Sequence, residues 1–198
     1  MGNDKPQTTN EKPRPARQVA GRAQLSKGLV QVYTGGGKGK TTAALGLAVR
    51  AAGHGLRAIV FCFMKTHGTY GEILGAARFA PEITLRAVGR ETFVDRENPA
   101  PEDVRMAREG FAEARRAALS GEYDLVILDE LNIVLDYGLV PVDEVLALFR
   151  DKPKQVEIVL TGRSAPAAVL DAADLVTEMV ERKHYYPEGV YARRGIDY

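Results

Sequence analysis

Apolar residues in this chain gather into short runs, separated by longer stretches in which they recur every third or fourth position. Leu29 to Val32, Ala58 to Phe63, Ile83 to Val88, Tyr123 to Leu128, Val156 to Leu160 and Leu175 to Val180 are the short runs. Each suits a strand buried on both faces of a parallel sheet. Between them the period changes. Val104, Ala107, Phe111, Ala114 and Ala118 mark one apolar helical face between Pro101 and Ser120, and Val142, Val145, Leu146 and Phe149 repeat the pattern after Pro141. Proline suits a helix start, and both faces read as cover for a sheet. A third helix runs through Ala43, Ala44, Leu45, Leu47, Ala48 and Val49, and a shorter segment spans Glu72 to Phe79. Six strands joined by crossover helices predict a three-layer α/β fold, with a mostly parallel sheet covered on both faces. The chain has no internal repeat.

The first strand runs into Thr34-Gly35-Gly36-Gly37-Lys38-Gly39-Lys40-Thr41-Thr42. Glycines there let successive backbone N–H groups turn inward around phosphate oxygens at a helix N-terminus. Lys40 stands where its ammonium reaches phosphate, and the Thr41 hydroxyl where it joins a Mg²⁺ shell. Strand, glycine loop, Lys-Thr and apolar helix together mark a phosphate-binding loop, so the expected fold is P-loop NTPase-like, of RecA-like type. The pattern departs from G-x-x-x-x-G-K-[ST] at its first position, where this chain has Thr34. Either the turn shifts by one residue in an ordinary ATPase or kinase, or the nucleotide is held in an unusual way.

The fourth run ends in Asp129-Glu130. Carboxylates at the carboxyl end of a neighbouring strand lie beside such a loop and can hold Mg²⁺ directly or through water. The alternative is that Asp129 caps the next helix and Glu130 is solvated.

Composition changes little in this picture. With 198 residues, 45% of them hydrophobic, and a net charge of +1, the chain can bury a sizeable core as one soluble unit. No apolar run approaches the roughly 18 residues of a membrane span, and no signal-peptide pattern opens the chain. The single cysteine, Cys62, excludes an intrachain disulfide and fits a reducing cytoplasm. Residues 1–27 carry a net +4 and leave −3 on the rest, so 1–27 reads as a flexible basic arm and 28–198 as one domain. The segment Ala16 to Lys27 has modest helical character and is a candidate to fold over a site. Without interleaved aromatics, the arm does not argue for nucleic acid.

The loop, Leu128-Asp129-Glu130-Leu131, Thr161-Gly162-Arg163, Lys183-His184, Gly189-Val190 and the final Gly195-Ile196-Asp197-Tyr198 occur together. In this combination and spacing, residues 16 to 198 resemble the phosphate-loop corrinoid adenosyltransferases of the bacterial cobalamin pathway. The resemblance implies transfer of the 5′-deoxyadenosyl group of ATP to the Co(I) of a reduced corrinoid, with triphosphate released. It implies ATP held in reverse, with C5′ toward the cobalt. The corrinoid would be cob(I)alamin, cobinamide or cob(I)yrinic acid a,c-diamide. An electron-donating reductase or flavoprotein and a second copy of the chain as homodimer are implied partners, with neither nucleic acid nor membrane involved.

Carried over by residue, the resemblance gives Gly35, Gly36, Gly37, Lys38, Gly39, Lys40, Thr41 and Thr42 to the triphosphate, with Arg163 as a further phosphate contact. Thr41 and Glu130 hold Mg²⁺, with Asp129 as their partner, and Lys40, Thr41 and Glu130 form the catalytic set. The family commonly carries a Phe-Thr-Trp-type cluster after the third strand, which presses on the corrin and displaces its lower axial ligand. Here the segment is Gly89-Arg90-Glu91-Thr92-Phe93-Val94-Asp95, and the chain has no tryptophan. Phe93, with Tyr70, is the candidate substitute, and simple loop packing is its alternative. Arg50 and Lys65 are weaker pocket candidates, reading equally as a solvated helix residue and a strand-end charge. His54, His67 and His184 are too dispersed for a cobalt-ligand motif, and Tyr185, Tyr186 and Tyr191 read as packing or dimer contacts.

Overall fold

A computed structural model describes residues 24–66, 68 and 70–198. Most of the basic arm, the Ala16 to Lys27 segment up to residue 23, and His67 lie outside the described residues. Six strands form: β1 (Val30–Thr34), β2 (Ala58–Phe63), β3 (Ile83–Val88), β4 (Leu125–Asp129), β5 (Glu157–Thr161) and β6 (Leu175–Glu178). All pairings are parallel, and the sheet order is β3-β2-β4-β5-β1-β6. The helices between them are α1 (Lys40–Ala52), α2 (Gly71–Gly75), α3 (Pro101–Leu119), α4 (Leu131–Asp136), α5 (Val142–Asp151) and α6 (Ala167–Ala172), with a 3₁₀ turn at Ala76–Phe79.

The order dictates which face each helix covers. From β1 the chain moves through α1 toward β2, then β3; from β3 onward it returns the other way. Right-handed crossovers in opposite directions place their helices on opposite faces. The core divides accordingly, with Ala44, Ala48 and Ala51 of α1 packing on Val60, Ile127 and Val159. Phe111, Val145 and Val169, from α3, α5 and α6, pack with Val126, Leu128 and Ile158. Along β4, Ile127 serves one core and Val126 and Leu128 the other, the period of two that a strand requires. The small alanines of α1 allow that helix to lie close on the sheet beside the loop it follows.

Two differences from the sequence expectation bear on the site. The strand ending in Asp129-Glu130 does not neighbour the phosphate-loop strand, because β5 lies between β4 and β1. Among the described residues the cover also stops short of β6, whose four residues are all exposed, Leu175 and Val176 among them. β1 leads toward β2 while β5 leads toward β6, so the crevice above their carboxyl ends is the topological switch point where such folds bind ligands. Among the described residues, no helix is long and apolar enough to cross a membrane.

Candidate functional site

The departure at Thr34 has a local cause. Thr34 is still part of β1, in register with Glu178 of β6, where a β-branched side chain fits the pleat better than glycine. The turn begins one residue later, at Gly35, with φ +91°, and ends at Gly39, with φ +115°, immediately before α1. Both angles lie in the left-handed region that glycine enters without steric cost. Between them, the Gly37 N–H donates to the Met179 carbonyl at 2.7 Å, anchoring the loop to the segment after β6. The buried Lys40 ammonium turns back over its own loop and donates to the carbonyls of Gly35 and Gly37, both at 2.8 Å. Burial lowers the Lys40 pKa, opposed chiefly by the negative charge of Glu130.

Asp129 is fully buried at the end of β4 and accepts from three side chains. Thr41 Oγ1 at 2.8 Å and Thr161 Oγ1 at 2.6 Å donate to its Oδ1, and Lys65 Nζ donates to its Oδ2 at 2.8 Å. Thr161, at the tip of β5, spans the strand that separates β4 from β1, and its oxygen also accepts the Glu130 N–H at 3.0 Å. Asp129 is therefore a saturated acceptor rather than a helix cap. Glu130 follows with φ +62°, uncommon for a residue with a side chain, and this turn directs its carboxylate onto the cavity wall. Its pKa is raised by burial and then by Asp129, while Lys65, Lys40 and Arg163 pull it down. Among the described residues no donor reaches the Glu130 carboxylate, and it is not a solvated side chain.

These groups line a cavity of about 1110 Å³. Gly36 to Thr42, Glu130 and Arg163 form one part of its wall. Tyr70, Phe93, Tyr137, Tyr185 and Tyr186 supply aromatic surface elsewhere. Phe93 is fully exposed while its neighbour Val94 packs on the core, so simple loop packing is excluded for Phe93. Its loop is braced at both ends. Arg90 grips Asp103 of α3 with two bonds of 2.7 and 2.6 Å, and Asp95 accepts the Glu97 and Asn98 N–H groups.

The final turn closes another side. Asp197 accepts from Lys38 Nζ at 2.8 Å, from the Tyr185 hydroxyl and from the Arg193 N–H at 2.9 Å. The bonds from Lys38 and Tyr185 hold the Asp197 carboxyl well below the usual range. Lys38 also donates to the Ile196 carbonyl at 3.1 Å, so the Gly-Ile-Asp-Tyr ending is tied directly to the phosphate loop. This gives Tyr185 a bonded place on the cavity wall beyond packing.

The structure thus brings together Lys38, Lys40, Thr41, Thr42, Phe93, Asp129, Glu130 and Arg163, but not all the candidates. Arg50 is exposed on α1, outside the cavity wall. His54 is exposed beyond the end of α1, whereas His184 lies on the cavity wall, where its Nδ1 accepts the Tyr186 N–H. Lys65, read equally as a pocket residue and a strand-end charge, lies on the cavity wall, buried between Asp129 and Glu72. Glu72 and Thr161 were missed. Thr161 stood within the Thr161-Gly162-Arg163 motif, whereas nothing in the local pattern singled out Glu72.

Chemically, the arrangement offers inward amides and cations for a polyphosphate, oxygen donors for a hard divalent cation, and an apolar wall for a second, flat ligand. Comparison with known proteins shows the family. A sequence model of the family described as ATP:corrinoid adenosyltransferase BtuR/CobO/CobP matches residues 26–198. The corrinoid adenosyltransferase of Pseudomonas aeruginosa is 35% identical over 176 residues, covering 89% of this chain and 86% of that protein. That of Escherichia coli K12 is 36% identical, covering 89% and 88%, and CobA of Salmonella typhimurium is 35% identical over the same shares. Among solved structures, the KaiC-like protein PH0186 of Pyrococcus horikoshii aligns with a TM-score of 0.52 at 15% identity, covering 81% of this chain and 76% of that one. The flagellar accessory protein FlaH of Methanocaldococcus jannaschii gives 0.51 at 15%, covering 78% and 72%. These two share the fold alone. The family match runs from before β1 through the final Tyr198 and so takes in every wall of the cavity, and the chain belongs to the ATP:corrinoid adenosyltransferase family.

Proposed function

We propose that this chain moves the 5′-deoxyadenosyl group of ATP onto the Co(I) centre of a reduced corrinoid, with both substrates held in the one cavity. The carrying observation is the composition of its wall, with the phosphate loop and Glu130 in one part and the exposed Phe93 with Tyr70 in another. Its volume of about 1110 Å³ exceeds the upper end, about 1,000 Å³, of pockets built for a single small molecule. The Co(I) electron pair forms the cobalt–carbon bond as the C5′–O bond breaks, and the pair of that bond leaves on triphosphate. Since the nucleophile belongs to a substrate, the protein's task is to align the reactants and stabilise the departing charge.

Lys38, Lys40, Thr42 and the amides from Gly35 to Thr41 other than that of Gly37, which is bonded to Met179, hold the triphosphate, and Arg163 adds a cation. Donors preset where charge develops commonly contribute about 3 kcal/mol each. The oxygen groups fit Mg²⁺, which takes one or two protein ligands and completes its shell with phosphate oxygens and water. Thr41 donates its hydroxyl hydrogen bond to Asp129 and keeps lone pairs free, and among the described residues Glu130 offers a carboxylate without a competing donor. Thr41 and Glu130 are the ligands in this reading, with Asp129 orienting Thr41 from behind. Bound there, Mg²⁺ neutralises part of the triphosphate charge. Phe93 presents its ring to the corrin face in place of the family's larger aromatic cluster.

Several wider features support the same reading less directly. Residues 28–198 act as one unit around a single sheet. The exposed edge strand β6, with Leu175 and Val176 open, suits pairing with a second copy. As in the family the chain resembles, a separate reductase supplies the electron for Co(I) in this reading. A reducing cytoplasm is the matching location.

The test is an anaerobic assay with chemically reduced cobalamin or cobinamide and MgATP, following the corrinoid spectrum and the phosphate product. Light-sensitive adenosylcorrinoid with triphosphate is expected. ADP or phosphate without cobalt alkylation would overturn the assignment.

A further inference from the structure

Lys65 has no part in the roles above, yet it is a buried cation on the cavity wall with two carboxylate partners. It lies just past β2, buried, with Nζ 2.8 Å from Asp129 Oδ2 and 2.9 Å from Glu72 Oε1, and 5.1 Å from the centre of the Tyr70 ring. Asp129 and Glu130 meet at the strand end, Glu72 comes from α2, and Lys65 is the cation bonded to two of these three carboxylates.

We propose that Lys65 is a positioning residue for the Thr41–Glu130 corner. This rests on the assignment of that corner to Mg²⁺. The two Asp129 oxygens have different tasks: Oδ1 receives the Thr41 and Thr161 hydroxyls, and Oδ2 receives Lys65. Lys65 therefore fixes the carboxylate plane from the side away from Thr41. With Oδ2 held, Oδ1 faces Thr41, the Thr41 proton points at Asp129, and the lone pairs of Thr41 are left for a cation in the cavity. The second arm, to Glu72, ties α2 to the same point. Tyr70, Gly71 and Glu72 belong to the cavity wall, so one ammonium joins the metal corner to this further part of the wall.

Without Lys65, Asp129 would be a buried anion beside two other carboxylates, free to rotate away from Thr41 or to draw a cation to itself. Either change would lower the advantage that Mg²⁺ gives to nucleotide binding. It would leave the loop amides, Lys40 and Arg163 in place for metal-free ATP. A purely structural role predicts otherwise: lower stability, with binding by the folded fraction unchanged or weakened equally in both conditions.

The experiment measures ATP affinity by calorimetry, in Mg²⁺ and in EDTA, at a temperature where thermal melting shows each protein folded. For Lys65→Met the ratio of the two affinities is expected to fall at least tenfold below the wild-type ratio. In a Thr41→Ala background the same substitution is expected to add less than twofold, because both act through one hydroxyl. A wild-type ratio kept by Lys65→Met, or a full additional loss in the Thr41→Ala background, overturns the proposal. Should the methionine variant not fold, Lys65→Arg, which keeps the charge but displaces the donor from Oδ2, is expected to lower the ratio at least threefold; an unchanged ratio there overturns it equally. A wild type whose ATP affinity ignores Mg²⁺ would instead sink the underlying metal assignment.

Discussion

Gly36 and Gly37 stand side by side in the phosphate loop but face different neighbours, which separates the loop's two tasks. A methyl at Gly36 meets no heavy atom within 4 Å, whereas one at Gly37 lies 2.7 Å from the Met179 carbonyl oxygen and 2.9 Å from its carbon. Neither glycine has a left-handed φ, so backbone conformation alone opposes neither alanine. Gly36→Ala should then leave stability unchanged or raise it by up to about 1 kcal/mol, by restricting the unfolded chain. Gly37→Ala cannot relax by rotating a side chain, because the obstacle is backbone. Overpacking of this kind costs about 2 kcal/mol. The Gly37 N–H bond to Met179, 2.7 Å long, is strained with it, for about 1 kcal/mol more. The resulting loss of about 3 kcal/mol corresponds to a fall of about 9 °C in melting temperature for a domain of this size.

Circular dichroism melts and calorimetric titration with MgATP read the two effects separately. Gly36→Ala should melt with the wild type and bind MgATP at least tenfold more weakly, about 1.4 kcal/mol, since its methyl occupies the space in front of the loop amides. Gly37→Ala should melt early. Wild-type affinity in Gly36→Ala would show that this part of the loop does not face phosphate, and the cradle would have to be redrawn. A wild-type melt for Gly37→Ala would refute the claim that Met179 is a rigid neighbour.

Three further outcomes follow from the geometry. Glu130→Ala should reduce activity at limiting Mg²⁺ at least tenfold, about 1.4 kcal/mol; unchanged rates would remove Glu130 from the metal corner. Phe93→Ala should melt with the wild type, because Phe93 is fully exposed. It should lower kcat/KM for the corrinoid at least tenfold with ATP affinity intact, and a parallel loss of ATP affinity would argue against a separate corrin wall. The Cys62 thiol is buried and pushed up to about 12, mainly by burial and then by Asp129. Because the thiolate is the reactive form and is scarce below that value, native protein at pH 8 should resist iodoacetamide and react once guanidinium unfolds it. Prompt labelling of the native state would contradict the burial.

The fold was legible because each strand is a distinct apolar run and each long helix has a periodic face. β2 and β3 lie where the runs from Ala58 to Phe63 and from Ile83 to Val88 place them, and α3 ends one residue before Ser120. Strand order was not legible. Nothing in the run Glu157–Thr161 says that it inserts between β1 and β4, since pairing is chosen by the crossover path and by contacts distant in sequence. The exposure of β6 was hidden for a related reason. Leu175 and Val176 are apolar in sequence whether helices cover them or not.

In the site, the legible part is the part held by local backbone. Gly35 to Thr41 occupy consecutive positions because a turn into a helix N-terminus must be contiguous, so the motif survives as a string. Asp129 and Glu130 are also adjacent, yet their tasks diverge for reasons no string contains. A strand directs successive side chains to opposite sides, and Glu130 then breaks that alternation with a φ of +62°. Asp129 is turned inward onto Thr41, Thr161 and Lys65, from three other segments, and Glu130 outward onto the cavity. Lys65 read equally as a pocket residue and as a strand-end charge, because a lysine after an apolar run suits either. It becomes a buried cation only because the sheet order brings the end of β4 beside β2, and α2 places Glu72 on the other side. The residues hardest to read from this sequence are thus those whose partners are set by strand order, and Lys65 is the one among them that joins two walls of the cavity.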